Sequence, residues 1–182
     1  MTSSGDLTSS TLQGLLRDGT LAGAWVLDAT RTQVKLETRH TWGLAPLHGA
    51  FRQASGNGTV TAAGDVSGVV TVAAESVDTK NPRRDKHLRS ADFFDVANHP
   101  DFTFAVDGAS PSDRGARITG NLTVAGRTRP ASFDATVSSV DGEVWLDGEL
   151  QVNRADFGLT WNWMGMAGMR ATIAVHAVFT RQ

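Results

Sequence analysis

At 182 residues, with 40% hydrophobic and 20% charged side chains, the chain can bury a core of its own, which excludes a disordered segment. A net charge of −2 excludes nucleic-acid binding through a bulk positive field, because phosphate recognition needs a concentrated one. The lack of cysteine excludes disulfides, thiolate metal sites and cysteine catalysis.

The N-terminus, residues 1–24, reads as an arm ahead of a single domain, residues 25–182. Its leucines, Leu12, Leu15, Leu16 and Leu21, are interrupted by Arg17, Asp18 and Gly19, so no secretory h-region follows a basic start. A cytoplasmic location is therefore expected. No stretch approaches the ~20 apolar residues of a membrane helix. Leu12, Leu15 and Leu16 share one face at helical spacing, and Ser9, Ser10 or Thr11 would cap that short helix. It reads as an appendage docking on the domain or as a swapped arm.

From Trp25 onward the dominant period is two. Val34, Leu36, Thr38 and His40 point one way while Gln33, Lys35, Glu37 and Arg39 point the other, the mark of a strand with one buried face. The alternation returns in Phe102, Phe104 and Val106, in Ile118, Leu122 and Val124, in Ala131–Val137, and in Val144–Val152. The last run, Ala171–Thr180, is apolar on both faces, so its inward side is open. Asn57-Gly58, Gly64-Asp65, Gly126, Asp141-Gly142 and Asn153–Asp156 read as turns between these runs. Many short alternating strands predict an all-β sandwich or barrel.

One segment departs from this pattern. Asn81-Pro82 supplies an N-cap and a first-turn proline, predicting a short helical insertion, and Phe93-Phe94 follows it before Pro100 returns the chain to a strand. Lys80, Arg83, Arg84, Lys86 and Arg89 place five of the 17 basic residues here. They read either as a solvated face or as a collar for a polar or anionic head group, with transient contact to a membrane surface. Farther on, Trp161, Trp163 and Met164 belong to a Trp/Met-rich stretch. It reads as an adaptable apolar mouth or as a hairpin packed on the N-terminal arm, and if exposed it favours a homodimer.

Catalytic signals are weak. The five histidines form neither HExxH nor His-x-His, and His40 on an apolar strand face reads as structural more readily than as a metal ligand. No G-x-S-x-G elbow occurs. Arg84-Asp85 and Arg154-x-Asp156 read as structural Arg–Asp forks tying the insertion and a turn to the barrel. No cofactor, metal or catalytic residue is assigned.

Several pieces in order carry a resemblance: Trp25-x-Leu27-Asp28, Gly49-x-Phe51, Glu75–Thr79, Arg84-Asp85-x-x-Leu88-Arg89-Ser90, Asp92–Val96, Pro100-x-Phe102-x-Phe104, Gly120-x-Leu122-Thr123-Val124-x-Gly126 and Arg154-x-Asp156-Phe157-Gly158-Leu159. Together they resemble the YceI-like family of polyisoprenoid-binding proteins over roughly Trp25 to Arg181. The resemblance implies an extended antiparallel, lipocalin-like β-barrel enclosing a long isoprenoid or fatty-acyl chain, without catalysis. Many members are exported, a pattern this N-terminus lacks. On that reading the barrel lining is Leu36, His40, Phe51, Phe94, Phe102, Phe104, Leu122, Phe133 and Ala135, with Trp161, Trp163 and Met164 at the mouth. Arg83, Arg84, Lys86 and Arg89 are the head-group candidates. Small inward residues such as Ala54, Ala74, Gly120, Ala131 and Gly148 leave room, while the aromatic ones line it. The expected partner is an isoprenoid-type lipid such as a quinone or polyprenyl chain. The alternatives are a fatty-acid or fatty-amide barrel, a small hydrolase or metal-dependent enzyme, and a homodimer with a sealed core.

Overall fold

The computed structural model describes residues 5–40, 45–161 and 167–182. In chain order the elements are α1 (Ser9–Arg17), β1 (Gly23–Leu27), β2 (Gln33–His40), β3 (Ala45–Phe51), β4 (Ala54–Val60), β5 (Val66–Ala73), β6 (Val77–Asp78), α2 (Pro82–Arg89), β7 (Asp101–Ser112), β8 (Gly115–Val124), β9 (Arg127–Val140), β10 (Glu143–Asn153) and β11 (Ala167–Arg181). Eight strands, β1, β4, β5 and β7 to β11, close an antiparallel barrel through the pairing of β1 with β11. Closure removes the unpaired edges that an open sheet of this size would expose.

The long strand β11 has two partners on one side. Its residues 171–176 pair with β2, and its residues 179–181 pair with β1. From β2 the sheet continues through β3 to β6, so one end of the barrel carries an extended wall. A 3₁₀ turn, Ala74–Ser76, joins that wall to the rest. The Ala74 N–H donates to the Pro100 carbonyl at 2.8 Å, and the Arg52 N–H donates to the Ser76 hydroxyl at 3.1 Å.

Within β11 the inward side is Ala171, Ile173, Val175, Ala177 and Phe179, which line the interior cavities or belong to the core. The other face looked equally apolar because Val178 is also fully buried, under the turn at residues 28–32. There Asp28 N–H donates to the Val178 carbonyl at 2.8 Å, and Val178 N–H donates to Thr32 Oγ1 at 3.3 Å.

Asn57-Gly58, expected as a turn, lies inside β4 with Gly58 opposite Trp25. The glycines here serve close packing: a Cβ on Gly56 would stand 2.8 Å from the Val69 carbonyl and 3.4 Å from Leu27. The chain turns at 61–65, at the expected Gly64-Asp65, where Gly64 takes a positive φ of 90°. The expected turns at Gly126 and Asp141-Gly142 are present, with positive φ at Ala125, Gly126, Asp141 and Gly142.

Helix α1 packs against one end of the barrel. Its cap is Thr8, one residue before the expected set, whose hydroxyl accepts from Thr11 N–H at 3.3 Å. Leu12 and Leu16, with Leu21 beyond the helix, are buried against Trp25, Ala116, Ile118 and Val137, and Leu7 N–H donates to the Val137 carbonyl at 2.7 Å. The arm therefore docks on its own barrel, each leucine contributing about 1.5–3 kcal/mol by burial.

Helix α2 stands with the second core cluster, around Phe94 and Phe102, and begins as the sequence predicts. Asn81 accepts from Arg84 N–H at 3.1 Å and Pro82 occupies the first turn. What ties it to the barrel differs from the expected Arg84–Asp85 fork. Both side chains converge on Thr79: Arg84 Nε donates to Thr79 Oγ1 at 2.7 Å, while Asp85 accepts from Thr79 N–H at 3.0 Å. Neighbours in a helix point in different directions, so adjacent side chains share a third partner more easily than they meet. Arg89 completes the clamp by donating to the carbonyls of Glu75 and Val77 at 2.6 and 2.7 Å.

Candidate functional site: an apolar barrel interior

The inward residues enclose a row of apolar cavities along the barrel. The largest, about 390 Å³, lies beside α2 and is lined by Leu36, Leu47, Phe51, Leu88, Phe93, Phe94, Phe102, Val152, Phe157, Leu159, Trp161 and Ile173, among others. A middle cavity of about 140 Å³ is lined by Phe104, Leu122, Phe133, Gly148, Leu150 and Val175, and shares Phe51, Phe102, Val124 and Ile173 with the first. A third, about 160 Å³, lies under α1 and shares Val70, Val106, Ile118, Leu146 and Phe179 with the middle one. The first alone falls within the ~300–1,000 Å³ range of small-molecule sites.

The partitions between these spaces are aromatic. Phe102 meets Phe51 and Phe94 edge-on, with centroids 5.7 and 5.0 Å apart, and Phe93 meets Phe94 at 5.1 Å. In the middle, Phe104 and Phe133 lie 5.7 Å apart. Gly148 makes room for that pair, since a Cβ there would stand 2.7 Å from the Phe133 ring.

Of the residues expected to line the barrel, Leu36, Phe51, Phe94 and Phe102 border the large cavity, and Phe104, Leu122 and Phe133 border the middle one. Ala135 does not line these cavities. It is inward but only 1% exposed, sealed among the side chains of the core cluster beneath α1 rather than facing the cavity there. Trp161 stands at the large cavity, 43% exposed and tilted against the His87 ring with centroids 4.3 Å apart. It stands with α2 and not in the cluster packed against α1, which for this residue favours the mouth over the alternative of a hairpin on the N-terminal arm. Trp163, Met164 and the His40 side chain lie outside the described residues.

The head-group candidates separate. Arg83 and Lys86 are exposed on α2, whereas Arg84 and Arg89 spend their guanidinium groups on the carbonyl and hydroxyl oxygens of residues 75–79. Of the four, only Arg84 borders the large cavity.

Two polar residues at this cavity escaped the sequence reading. Arg154, expected to fork with Asp156, turns inward and is 7% exposed; its Nε donates to the Gly168 carbonyl at 2.8 Å and its Cζ lies 5.3 Å from the Phe93 ring centroid. Among the described residues its Nη2 has no hydrogen-bond partner, and neither does His87 Nε2. The inward course follows from the 3₁₀ turn Arg154–Phe157, which ends at Gly158 with φ 73° and buries both Arg154 and Phe157. The only available signal was Arg154's place in a motif with Phe157 and Leu159, which themselves face the cavity.

Elsewhere the surface carries a polar groove on the barrel exterior, with Arg117 paired to Asp134 at 3.1 Å and His176 to Asp147 at 2.7 Å. No group of three or more His, Cys, Asp or Glu suited to a metal occurs among the described residues.

Comparison with known proteins gives a consistent result. The YceI-like domain family matches residues 25–179. A UPF0312 protein of Pectobacterium carotovorum is 34% identical over 119 residues, covering 62% of each chain, and Protein YceI of Salmonella arizonae is 36% identical over 97 residues, covering 50% of this chain and 51% of its own. The alignments thus span less than two thirds of these relatives' length. Among solved structures, Burkholderia cenocepacia BcnA superposes with a TM-score of 0.76 at 22% identity, covering 84% of this chain and 98% of its own. A polyisoprenoid binding domain from Saccharophagus degradans gives 0.70 at 15% identity, covering 87% and 98%. Campylobacter jejuni YCEI protein gives 0.60 at 26% identity, covering 71% and 82%.

Proposed function

Given that the chain belongs to the YceI-like family, we propose that it is a non-enzymatic carrier that sequesters a long apolar lipid of isoprenoid type, a quinone or polyprenyl chain, inside the barrel. The observation that carries this reading is the row of adjoining apolar cavities, the largest about 390 Å³, within a closed barrel. Burial of an alkyl or isoprenoid chain there gains ~25 cal/mol per Å² of apolar surface, offset in part by ordering of the chain. The name of the Saccharophagus domain, a polyisoprenoid binding one, supports the choice of ligand class.

The α2 end is the proposed entrance. It holds the largest of the apolar cavities, the exposed Trp161 and the exposed cations Arg83 and Lys86, which favour an encounter with an anionic membrane surface. Organic extraction of native protein followed by mass spectrometry is the test. A co-purifying isoprenoid lipid at near-stoichiometric amount is the expected result. Lipid-free protein that also refuses isoprenoids offered in vitro would mean a sealed core, and turnover of an ester substrate would mean an enzyme.

A further inference from the structure

An apolar cavity has no use for an uncompensated cation, yet this one contains Arg154. The residue is more than nine-tenths buried, and among the described residues it forms no ion pair and its Nη2 meets no acceptor. Burial alone pulls the guanidinium below its ordinary pKa, with no carboxylate acting in the other direction. A buried charge left in this condition is costly, and an unmet donor costs more again. His87 Nε2 repeats the anomaly nearby, buried and unpartnered, with its ring under Trp161 and 6.4 Å from the Phe93 ring that Arg154 covers from 5.3 Å. Arg84, which also borders the cavity, has its Nε and Nη2 engaged with Thr79.

We propose that Arg154 Nη2 and His87 Nε2 form a receptor for an anionic oxygen head group, a carboxylate or a phosphate, on the lipid whose chain fills the barrel. The inference rests on the carrier reading and adds to it the chemistry of the ligand's polar end. An anion supplies what both atoms lack: acceptor oxygens for two donors and the counter-charge for one guanidinium. With the head group held beside Phe93 and Phe94, the chain runs past Phe102 toward the middle cavity, along the line of shared walls. Recognition of the head group is thereby moved from the exposed face of α2 into the cavity, where His87 points from the same helix.

Three probes with one tail isolate the head group: farnesol, farnesoic acid and farnesyl monophosphate, titrated calorimetrically into delipidated protein below their aggregation concentrations. At least one acidic ligand is expected to bind about tenfold or more tighter than farnesol, and the better of the two identifies carboxylate or phosphate as the source. Arg154→Met should erase that preference, so that the variant binds the acidic ligands no tighter than it binds farnesol. His87→Phe, which leaves the Arg154–Gly168 bond in place, should reduce the preference several-fold, and this arm stands even if Arg154→Met fails to fold. Equal affinity for all three ligands would overturn the head-group assignment and leave the carrier reading intact. So would an acid preference that survives in folded Arg154→Met. Failure of all three to bind would overturn both.

Discussion

Phe102 is the side chain whose removal tests the connected interior most directly. It is 8% exposed, it borders both the large and the middle cavity, and it meets two other rings edge-on. Phe102→Ala should destabilise the ligand-free protein by about 3–5 kcal/mol, the usual range for a buried phenylalanine. Of that loss, roughly 0.5–1.5 kcal/mol belongs to each aromatic pair broken with Phe51 and Phe94. The same truncation removes a shared wall, so the spaces of about 390 and 140 Å³ become continuous. A ligand long enough to occupy both recovers part of the lost burial. Urea denaturation with and without geraniol, farnesol and geranylgeraniol reads both effects. The variant should lose stability when empty and shift its preference toward the longer alcohols relative to wild type. A folded variant with the wild-type chain-length ranking would refute the role of Phe102 as a partition. A loss below about 1 kcal/mol would refute the packing argument itself.

Ala135→Phe should cost about 1–3 kcal/mol by overpacking the sealed region under α1 and should not shorten the preferred ligand; denaturation and the same alcohol series check this, and a chain-length shift without destabilisation would place Ala135 in the lumen after all. Arg84→Gln should lower stability by about 1.5–3 kcal/mol, because charged hydrogen bonds to Thr79 are lost, and unchanged urea midpoints would contradict that clamp. Replacing Arg83 and Lys86 together with Gln should slow loading from anionic vesicles at low salt and leave it unchanged at high salt; equal rates at every salt concentration would make them only a solvated face. Acid should also act in a defined direction. Lys80 and Arg52 hold Asp78 below the usual carboxylate range, Thr30 and Arg31 do the same for Asp28, and Arg31 lowers Glu143. Because these folded-state values are depressed, their stabilisation is complete above the ordinary carboxylate range near 4 and drains as pH falls below it. Asp78→Asn should therefore flatten the decline in urea midpoint below pH 4, and an unchanged slope would remove Asp78 from the account.

The barrel was legible in the sequence because strand alternation is a local property. Val34, Leu36 and Thr38, or Val144, Leu146, Leu150 and Val152, declare one buried face without reference to any other strand. The helix at Pro82 was legible for the same reason, since a cap and a first-turn proline act within one turn. Locality also explains the failures. Asn57-Gly58 carries turn chemistry, yet pairing with β1 on one side and β5 on the other keeps it inside a strand, where Leu27 and Val69 press on the neighbouring Gly56. Both faces of β11 are apolar because a distant turn covers Val178, and no window along that strand contains the information. Alternation likewise places Ala135 inward but does not say whether the space before it is empty; the side chains of α1 and its neighbours fill it. Arg154 is the clearest case. Its neighbours suggested a surface fork with Asp156, but the course of the 3₁₀ turn and the position of Gly168 turn the guanidinium inward. Sequence alone thus determined which strand residues face the interior wherever the opposite face is polar, since there the pleat does that residue by residue. Only the tertiary structure decided where the interior is empty and which charge waits inside it, because cavities and counter-charges are made by elements that meet in space rather than in the chain.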